Sequence, residues 1–216
     1  PTADLGTVCA PSGQPPGWPS LSLHIAAQRD LEGCVRLLLE AGANTEVRDV
    51  NVATPLHSAA LHSAASHGSA EACMQLLLEA GANMEARDQH EMTALHYAAK
   101  DGCDKCVALL LEAGAEVSVQ DNFGDTPLHL AAKGCYVGCA RLLLRAGADK
   151  QTKNKHGETP KQNLRSIRAA TWMALSEPAH RSAEGLMHAS ATTTELKAMA
   201  KLLGSSTSFL RRNFGV

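Results

Sequence analysis

Aromatic side chains are scarce in this chain, and it has no long apolar run. Phe, Trp and Tyr make up 3% of its 216 residues. Rows of stacking rings, as in clefts that bind single-stranded nucleic acid or sugars, are therefore disfavoured. Every leucine cluster is interrupted by Glu, Arg or Gly within a few positions, whereas a membrane-crossing helix needs roughly 18 consecutive apolar residues. The sequence predicts a protein without a membrane span.

The motifs of the common enzyme classes are also missing. The sequence has no G-x-S-x-G turn, no H-E-x-x-H helix and neither of the glycine-rich phosphate loops. His57, His62 and His67 are evenly spaced, but a spacing of five residues turns their rings to different sides of a helix. We therefore expect no catalytic residue, no bound metal and no cofactor.

The start of the chain does not resemble a secretory signal, because Asp4 is the only charge in the first twenty residues and no basic segment precedes an apolar one. The cysteines number seven, and an odd number favours a reducing compartment over a disulfide framework. We expect a cytoplasmic protein, with the nucleus as a second location, and a monomer.

A repeated pattern fills most of the chain. The run L-L-L-E-A-G-A at 37–43 recurs at 76–82 and 109–115, and as L-L-L-R-A-G-A at 142–148. The glycines of these runs are spaced by 39, 33 and 33 residues. A second signature keeps the same rhythm, as L-S-L-H at 21–24, T-P-L-H at 54–57, T-A-L-H at 93–96 and T-P-L-H at 126–129.

Each repeat has the signals of two short helices. Threonine caps a helix start, and the proline that follows it has no N–H in need of a partner. Glycine takes the left-handed conformation that ends a helix. A polar segment, here called a finger, then follows at 44–53, 83–92, 116–125 and 149–158. One helix pair cannot bury its apolar face alone, so the repeats must stack.

The period of 33 and the motif T-P-L-H-x-A resemble the ankyrin repeat over residues 21 to 160. The resemblance implies an all-α helix-turn-helix solenoid with short hairpin fingers. Its four clear repeats are 21–53, 54–92, 93–125 and 126–158, and a degenerate repeat with a helical cap follows at 159–204. We expect a poorly ordered lead at 1–20 and a mobile tail at 205–216. In this family the motif histidines are hydrogen-bonding struts, here His24, His57, His96 and His129.

Repeat two departs from the pattern because it is six residues too long. Residues 56–60 and 61–65 are both Leu-His-Ser-Ala-Ala, and one further residue lies before Leu76. Five residues rotate a helix by roughly 500°, so the two copies are about 140° apart and cannot share one core face. Either the first helix is longer or one copy forms a loop. A partner contact and a tolerated duplication both remain open as its role.

Cys103 and Cys106 have the C-x₂-C spacing of half a zinc site or of a redox pair. In the register of the repeats, however, Cys34, Cys73, Cys106 and Cys139 occupy one position. Stacking places such a column roughly 10 Å apart per member, too far for one metal ion. We therefore expect all four to be small buried hydrophobes on the inner side of the second helices.

The net charge of −2 conceals an asymmetry along the chain. Residues 21–125 contain 16 acidic and 6 basic residues, a net charge of −10, whereas basic residues are in excess from 126 onward. Such polarity steers a partner of complementary charge. Lys150, Lys153 and Lys155 cluster on one finger, but the other basic residues are scattered. Binding of nucleic acid or acidic lipid is therefore the weaker interpretation.

The repeat itself does not need the residues at the finger tips and at the ends of the first helices. In proteins with this resemblance, these positions line one concave surface that binds other proteins. The resemblance thus implies a non-catalytic interaction module acting as a scaffold, adaptor or inhibitor. The candidate partner-binding residues are Arg29, Gln89, His90, Tyr97, Lys100, Asp101, Asn122, Phe123, Lys133, Lys155 and His156.

Phe123 and Tyr97 are the aromatic anchors among these candidates, with local packing as the alternative role of each. A different interpretation of the whole chain is a regulatory or substrate-docking part of a larger enzyme whose catalytic domain lies elsewhere. A start at Pro1 rather than at Met keeps that alternative open.

Overall fold

The computed structural model describes residues 18–61, 70–163, 198–199 and 201–204. Within these residues it contains eight helices of seven or more residues and no strand, which confirms the predicted all-α repeat fold. The helices are α1 (Trp18–Gln28), α2 (Glu32–Glu40), α3 (Pro55–Leu61), α4 (Ala70–Glu79), α5 (Ala94–Asp101), α6 (Asp104–Glu112), α7 (Pro127–Lys133) and α8 (Val137–Arg145).

The chain divides into two compact units, with the boundary between Glu116 and Val117. In unit 1 the first helices α1, α3 and α5 pack side by side in chain order, and the second helices α2, α4 and α6 form another layer. Unit 2 contains the pair α7 and α8, which pack against each other. Residues 160–163 and 198–199 of unit 2 are also helical.

The first helices begin where the T-P-L-H pattern predicts. Thr93 has an extended backbone just before α5, and its N–H donates to Nδ1 of His96 at 3.1 Å. Thr126 and His129 repeat this geometry before α7, which has Pro127 at its first position. Each of these helices thus starts with a capping box in which histidine takes the place of the usual Glu or Gln.

Equivalent residues of the repeats fill the core of each unit. The middle leucine of the Leu triplet is completely buried at Leu77 and Leu110 in unit 1 and at Leu143 in unit 2. Cys73, Cys106 and Cys139 are equally buried, as predicted. The buried apolar residues of the described part of the chain are small or aliphatic, which accounts for the low aromatic content.

The prediction of burial is wrong for Cys34, which is exposed. Cys73 lies near Asp30 and Cys34 of the first repeat, so the cysteine position faces the preceding repeat. In the described part of the chain no repeat precedes that of Cys34. Leu37 on the same helix is 65% exposed.

Two boundaries differ from the sequence prediction or sharpen it. Helix α1 begins at Trp18, inside the segment predicted as the lead. Helix α3 buries Leu56 and His57 of the first Leu-His-Ser-Ala-Ala copy, whereas Leu61, which starts the second copy, is 39% exposed. The first copy therefore supplies the core. Residues 1–17, 62–69, 164–197, 200 and 205–216, with the predictions made for them, lie outside the described residues.

Candidate functional site

Three motif histidines tie the start of a repeat to the end of its finger. His24, His57 and His129 place Nε2 at 2.8, 2.9 and 3.1 Å from the carbonyl oxygens of the last finger residues, Ala53, Met92 and Glu158. In His57 the Nδ1 atom accepts the N–H of Thr54, so the proton of the neutral ring is on Nε2 and is donated to the carbonyl. Burial lowers the pKa of His57, which favours this neutral form. The predicted strut role is confirmed for these three histidines.

Each finger ends in a tight turn built on an Asp or Asn side chain, at Asp49, Asp88, Asp121 and Asn154. In the third finger, Oδ1 of Asp121 accepts the N–H of Phe123 at 2.8 Å and that of Asp125 at 2.9 Å. The other three turns have the same pair of bonds, to the residues two and four positions later. Asp and Asn favour such turns because their short side chains bond to the following backbone. The tip backbone is thus held by the finger itself.

The residue after each tip adopts a left-handed backbone. Gly124 has φ +75°, and a Cβ atom there would lie 2.7 Å from the backbone nitrogen of Lys155, so this close approach requires glycine. Val52 and Glu91 take the equivalent positions with φ 63° and 58°. Val52 is strained, because a β-branched residue rarely adopts this conformation.

Neighbouring fingers within a unit are joined through their backbones. In unit 2 the N–H of Lys155 donates to the carbonyl oxygen of Phe123 at 2.9 Å, and in unit 1 the N–H of Gln89 donates to that of Asn51 at 3.0 Å. The tip side chains therefore project from pairs of connected fingers.

The structure brings together four of the five candidate residues of unit 2. Phe123 is 59% exposed at the third finger tip. The ammonium group of Lys155 donates to the carbonyl oxygen of Asn122 at 2.7 Å, which holds it beside that tip. His156 is exposed next to Lys155, whereas Lys133 is exposed at the end of α7.

The candidates of unit 1 lie in three places. Gln89 and His90 form the tip of the second finger, with 3.2 Å between their side-chain nitrogens Nε2. Arg29 is exposed just after α1. The remaining candidates are at the end of α5, where the Lys100 ammonium lies 5.7 Å from the centre of the Tyr97 ring and Asp101 is half-buried.

Tyr97 is already engaged in packing within unit 1. Its hydroxyl donates to Oδ2 of Asp88 at 2.6 Å, and its ring meets that of His57 edge-on, with 6.0 Å between the ring centres. Burial, together with the hydrogen bond to Asp88, raises the pKa of Tyr97. The packing role left open for this residue is therefore present, and a partner contact by Tyr97 stays a prediction.

The first finger also has an exposed apolar tip. Val50, at the tip of the first finger, is 92% exposed. Its sequence signal is an apolar residue directly after the turn-forming Asp49, at a position that the repeat fills elsewhere with polar side chains.

The C-x₂-C pair contributes to the start of a helix. Cys103 precedes α6, and its Sγ accepts the backbone N–H of Cys106 at 3.2 Å. Across the described residues, no three His, Cys, Asp or Glu side chains form a group that could hold a metal ion. None of the helices there has the length and apolar character needed to cross a membrane.

Comparison with protein families agrees with this geometry. One model for ankyrin repeats, in three copies, matches residues 61–154, and a model for a single ankyrin repeat matches residues 22–50. The chain belongs to the ankyrin repeat family. A search of curated proteins finds no match.

Ankyrin repeats are generally protein–protein interaction modules, and ankyrin domains are typically non-catalytic. The three-copy match begins at Leu61, the first residue of the second Leu-His-Ser-Ala-Ala copy. The structure instead buries Leu56 of the first copy. Because the two copies are identical, only the packing distinguishes them.

Proposed function

We propose that this ankyrin repeat protein is itself non-catalytic and binds another protein through its finger tips and the ends of its first helices, as a scaffold, adaptor or inhibitor. We further propose that it acts as a monomer in the cytoplasm. Nine of the eleven candidate residues are exposed, and Tyr97 and Asp101 are half-buried. The nine exposed side chains are accessible to a partner.

The observation that carries this proposal is the exposed ring of Phe123 on a fixed backbone. The N–H of Phe123 is bound to Asp121 and its carbonyl oxygen to Lys155, so both sides of the residue are held. A large apolar side chain with only its own rotamers to lose is a suitable binding anchor.

Affinity capture with the double variant Phe123→Ala, Lys100→Glu tests the proposal. The matched control is Leu37→Ala, Arg141→Glu, which also removes one exposed apolar side chain and reverses one exposed positive charge. Both are on second helices. We expect the first variant to lose partners that the wild type and the control retain. Equal recovery of the same partners by all three proteins would contradict the assigned surface.

A further inference from the structure

Two joined finger tips of unit 2 combine an exposed aromatic ring with positive charge. We call Asn122, Phe123, Lys153, Lys155 and His156 the Phe123 tip. Each of these residues is exposed. Lys150, at the start of the same fourth finger, is exposed as well. An exposed aromatic ring, with the Lys155 ammonium held at the same tip and Lys153 exposed on the fourth finger, is suited to a ligand that has both apolar and negatively charged parts.

The carboxylates nearest to this tip face inward. Asp121 and Asp125 are buried, and their oxygens accept hydrogen bonds from within the fingers: Asp121 from two backbone N–H groups, and Asp125 from the Asn154 side chain at 2.8 Å. In the fourth finger, Asp149 is exposed and accepts bonds from its own turn, and Glu158 is half-buried. The lysines face water, so the outward charge of the tip is positive although its turns contain aspartates.

The tip is also preorganised. Lys155 is held twice, by its N–H on the Phe123 carbonyl oxygen and by its ammonium on the Asn122 carbonyl oxygen. Gly124 lets the two backbones approach, since any Cβ there would meet the fourth finger. A partner would therefore not have to order these groups, which removes one of the main costs of binding.

We propose that the Phe123 tip binds an acidic segment of a partner protein that carries an apolar side chain beside its carboxylates. Phe123 contacts the apolar side chain, and Lys153 and Lys155 attract the carboxylates. This inference rests on the proposed function and names the class of its partner. A protein segment fits better than a nucleic acid, because the tip has one ring, whereas single-stranded nucleic acid is bound on several successive rings along a basic groove.

A random peptide library displayed on phage, selected on the wild-type protein, tests this proposal. We expect the selected peptides to be enriched in Asp and Glu next to an aliphatic or aromatic residue. The best of them is then synthesised with a fluorescent label, and its dissociation constant is measured by fluorescence anisotropy at 50 and 300 mM salt. A labelled single-stranded oligodeoxynucleotide of 20 nucleotides is the second probe.

Phe123→Ala should weaken peptide binding about tenfold, the loss typical of an anchor residue. Lys153→Glu and Lys155→Glu should each weaken it several-fold, and Lys153→Glu does so without removing the bond from Lys155 to Asn122. The matched controls are Leu37→Ala, which removes an exposed apolar side chain on α2, and Arg145→Glu, which reverses an exposed positive charge on α8. Both should bind the peptide as the wild type does, and higher salt should weaken binding in every protein.

The outcomes separate this inference from the proposed function. Selected peptides without acidic bias, or peptides whose binding depends on Lys100 but not on Phe123 and Lys153, would overturn the inference and leave the proposed function standing. Tight oligonucleotide binding that the Lys153→Glu variant loses, with no peptide selected, would overturn both.

Discussion

Replacing Asp30 with glycine should stabilise the protein. Asp30 follows α1 with φ 58°, and Gly102 follows α5 at the equivalent position with φ 77°. Both oxygens of the Asp30 carboxylate are buried. The group that faces them is the Cys73 thiol, a weak hydrogen-bond donor, and burial together with the bond to this carboxylate raises the pKa of the thiol to about 12. A glycine at this position would avoid both the strain of the left-handed backbone and the burial of the carboxylate oxygens.

The expected gain follows from three terms. A left-handed backbone costs a residue with a Cβ roughly 1–2 kcal/mol, with Asp at the lower end. A buried carboxylate whose hydrogen-bonding capacity is not met by a strong donor costs about 1–3 kcal/mol. The greater freedom of glycine in the unfolded chain offsets about 0.5–1 kcal/mol of this. We expect Asp30→Gly to raise the free energy of unfolding by about 2 kcal/mol, which for a chain of this length raises Tm by about 4–8 °C.

Urea and thermal unfolding followed by circular dichroism at 222 nm measure this change. Asp30→Asn is the matched variant, because Asn tolerates the left-handed backbone equally but carries no charge. Asp30→Asn should show only that part of the stability gain that comes from removing the buried charge. A Tm for Asp30→Gly at or below that of the wild type would refute the reasoning, because it would mean that the carboxylate stabilises the fold.

Three further predictions concern the helix starts and the fingers. Burial lowers the pKa of His57 from 6.5, so the unfolded chain takes up a proton that the native ring resists, and stability should fall as the pH drops below about 6.5. Urea unfolding at pH 7.5 and 5.5 should show this loss, and an undiminished loss in His57→Gln would contradict it. Val52→Gly relieves the strained backbone and should raise the free energy of unfolding by about 1 kcal/mol. Val52→Ala keeps that backbone strained and should not raise it, so equal urea midpoints for the two variants would argue against the strain. Deletion of residues 61–65 leaves the Thr54 cap and the His57 bond to Met92 intact. The variant should therefore still unfold cooperatively on heating, with a Tm no lower than that of the wild type. Loss of cooperative unfolding would show that both copies are required.

The repeat pattern predicted those features that depend on local chemistry. A threonine, a proline and a histidine at fixed spacing specify a helix start, and the Thr126, Pro127 and His129 group forms it with the expected geometry. The histidine struts follow as well, since the ring and the carbonyl that it reaches come from one repeat, as with His24 and Ala53. The period and the motif therefore predict the helices and the fingers, and the resemblance that they carry implies the histidine hydrogen bonds within a repeat.

Features that depend on which residues pack against a given side chain could not be predicted from the sequence. Cys34 and Cys73 are equivalent in the repeat, yet only Cys73 has a described repeat before it, so one is exposed and the other buried. Leu56 and Leu61 begin identical segments, and only their position relative to the Thr54 cap decides which enters the core. The sequence left the role of Tyr97 open between packing and partner binding, because its bond to Asp88 joins residues that the motif does not relate.

The construction of the fingers separates stability from recognition. Turn residues such as Asp121 and Gly124 hold the backbone and face inward, whereas Phe123 between them contributes its backbone to the turn and its side chain to solvent. A substitution of the Phe123 side chain therefore changes the surface that a partner contacts and leaves the backbone hydrogen bonds of the turn in place. A substitution of Asp121 or Gly124 removes the support of the tip. If the proposed surface is correct, tip variants should lose binding at unchanged Tm, and turn variants should lose both.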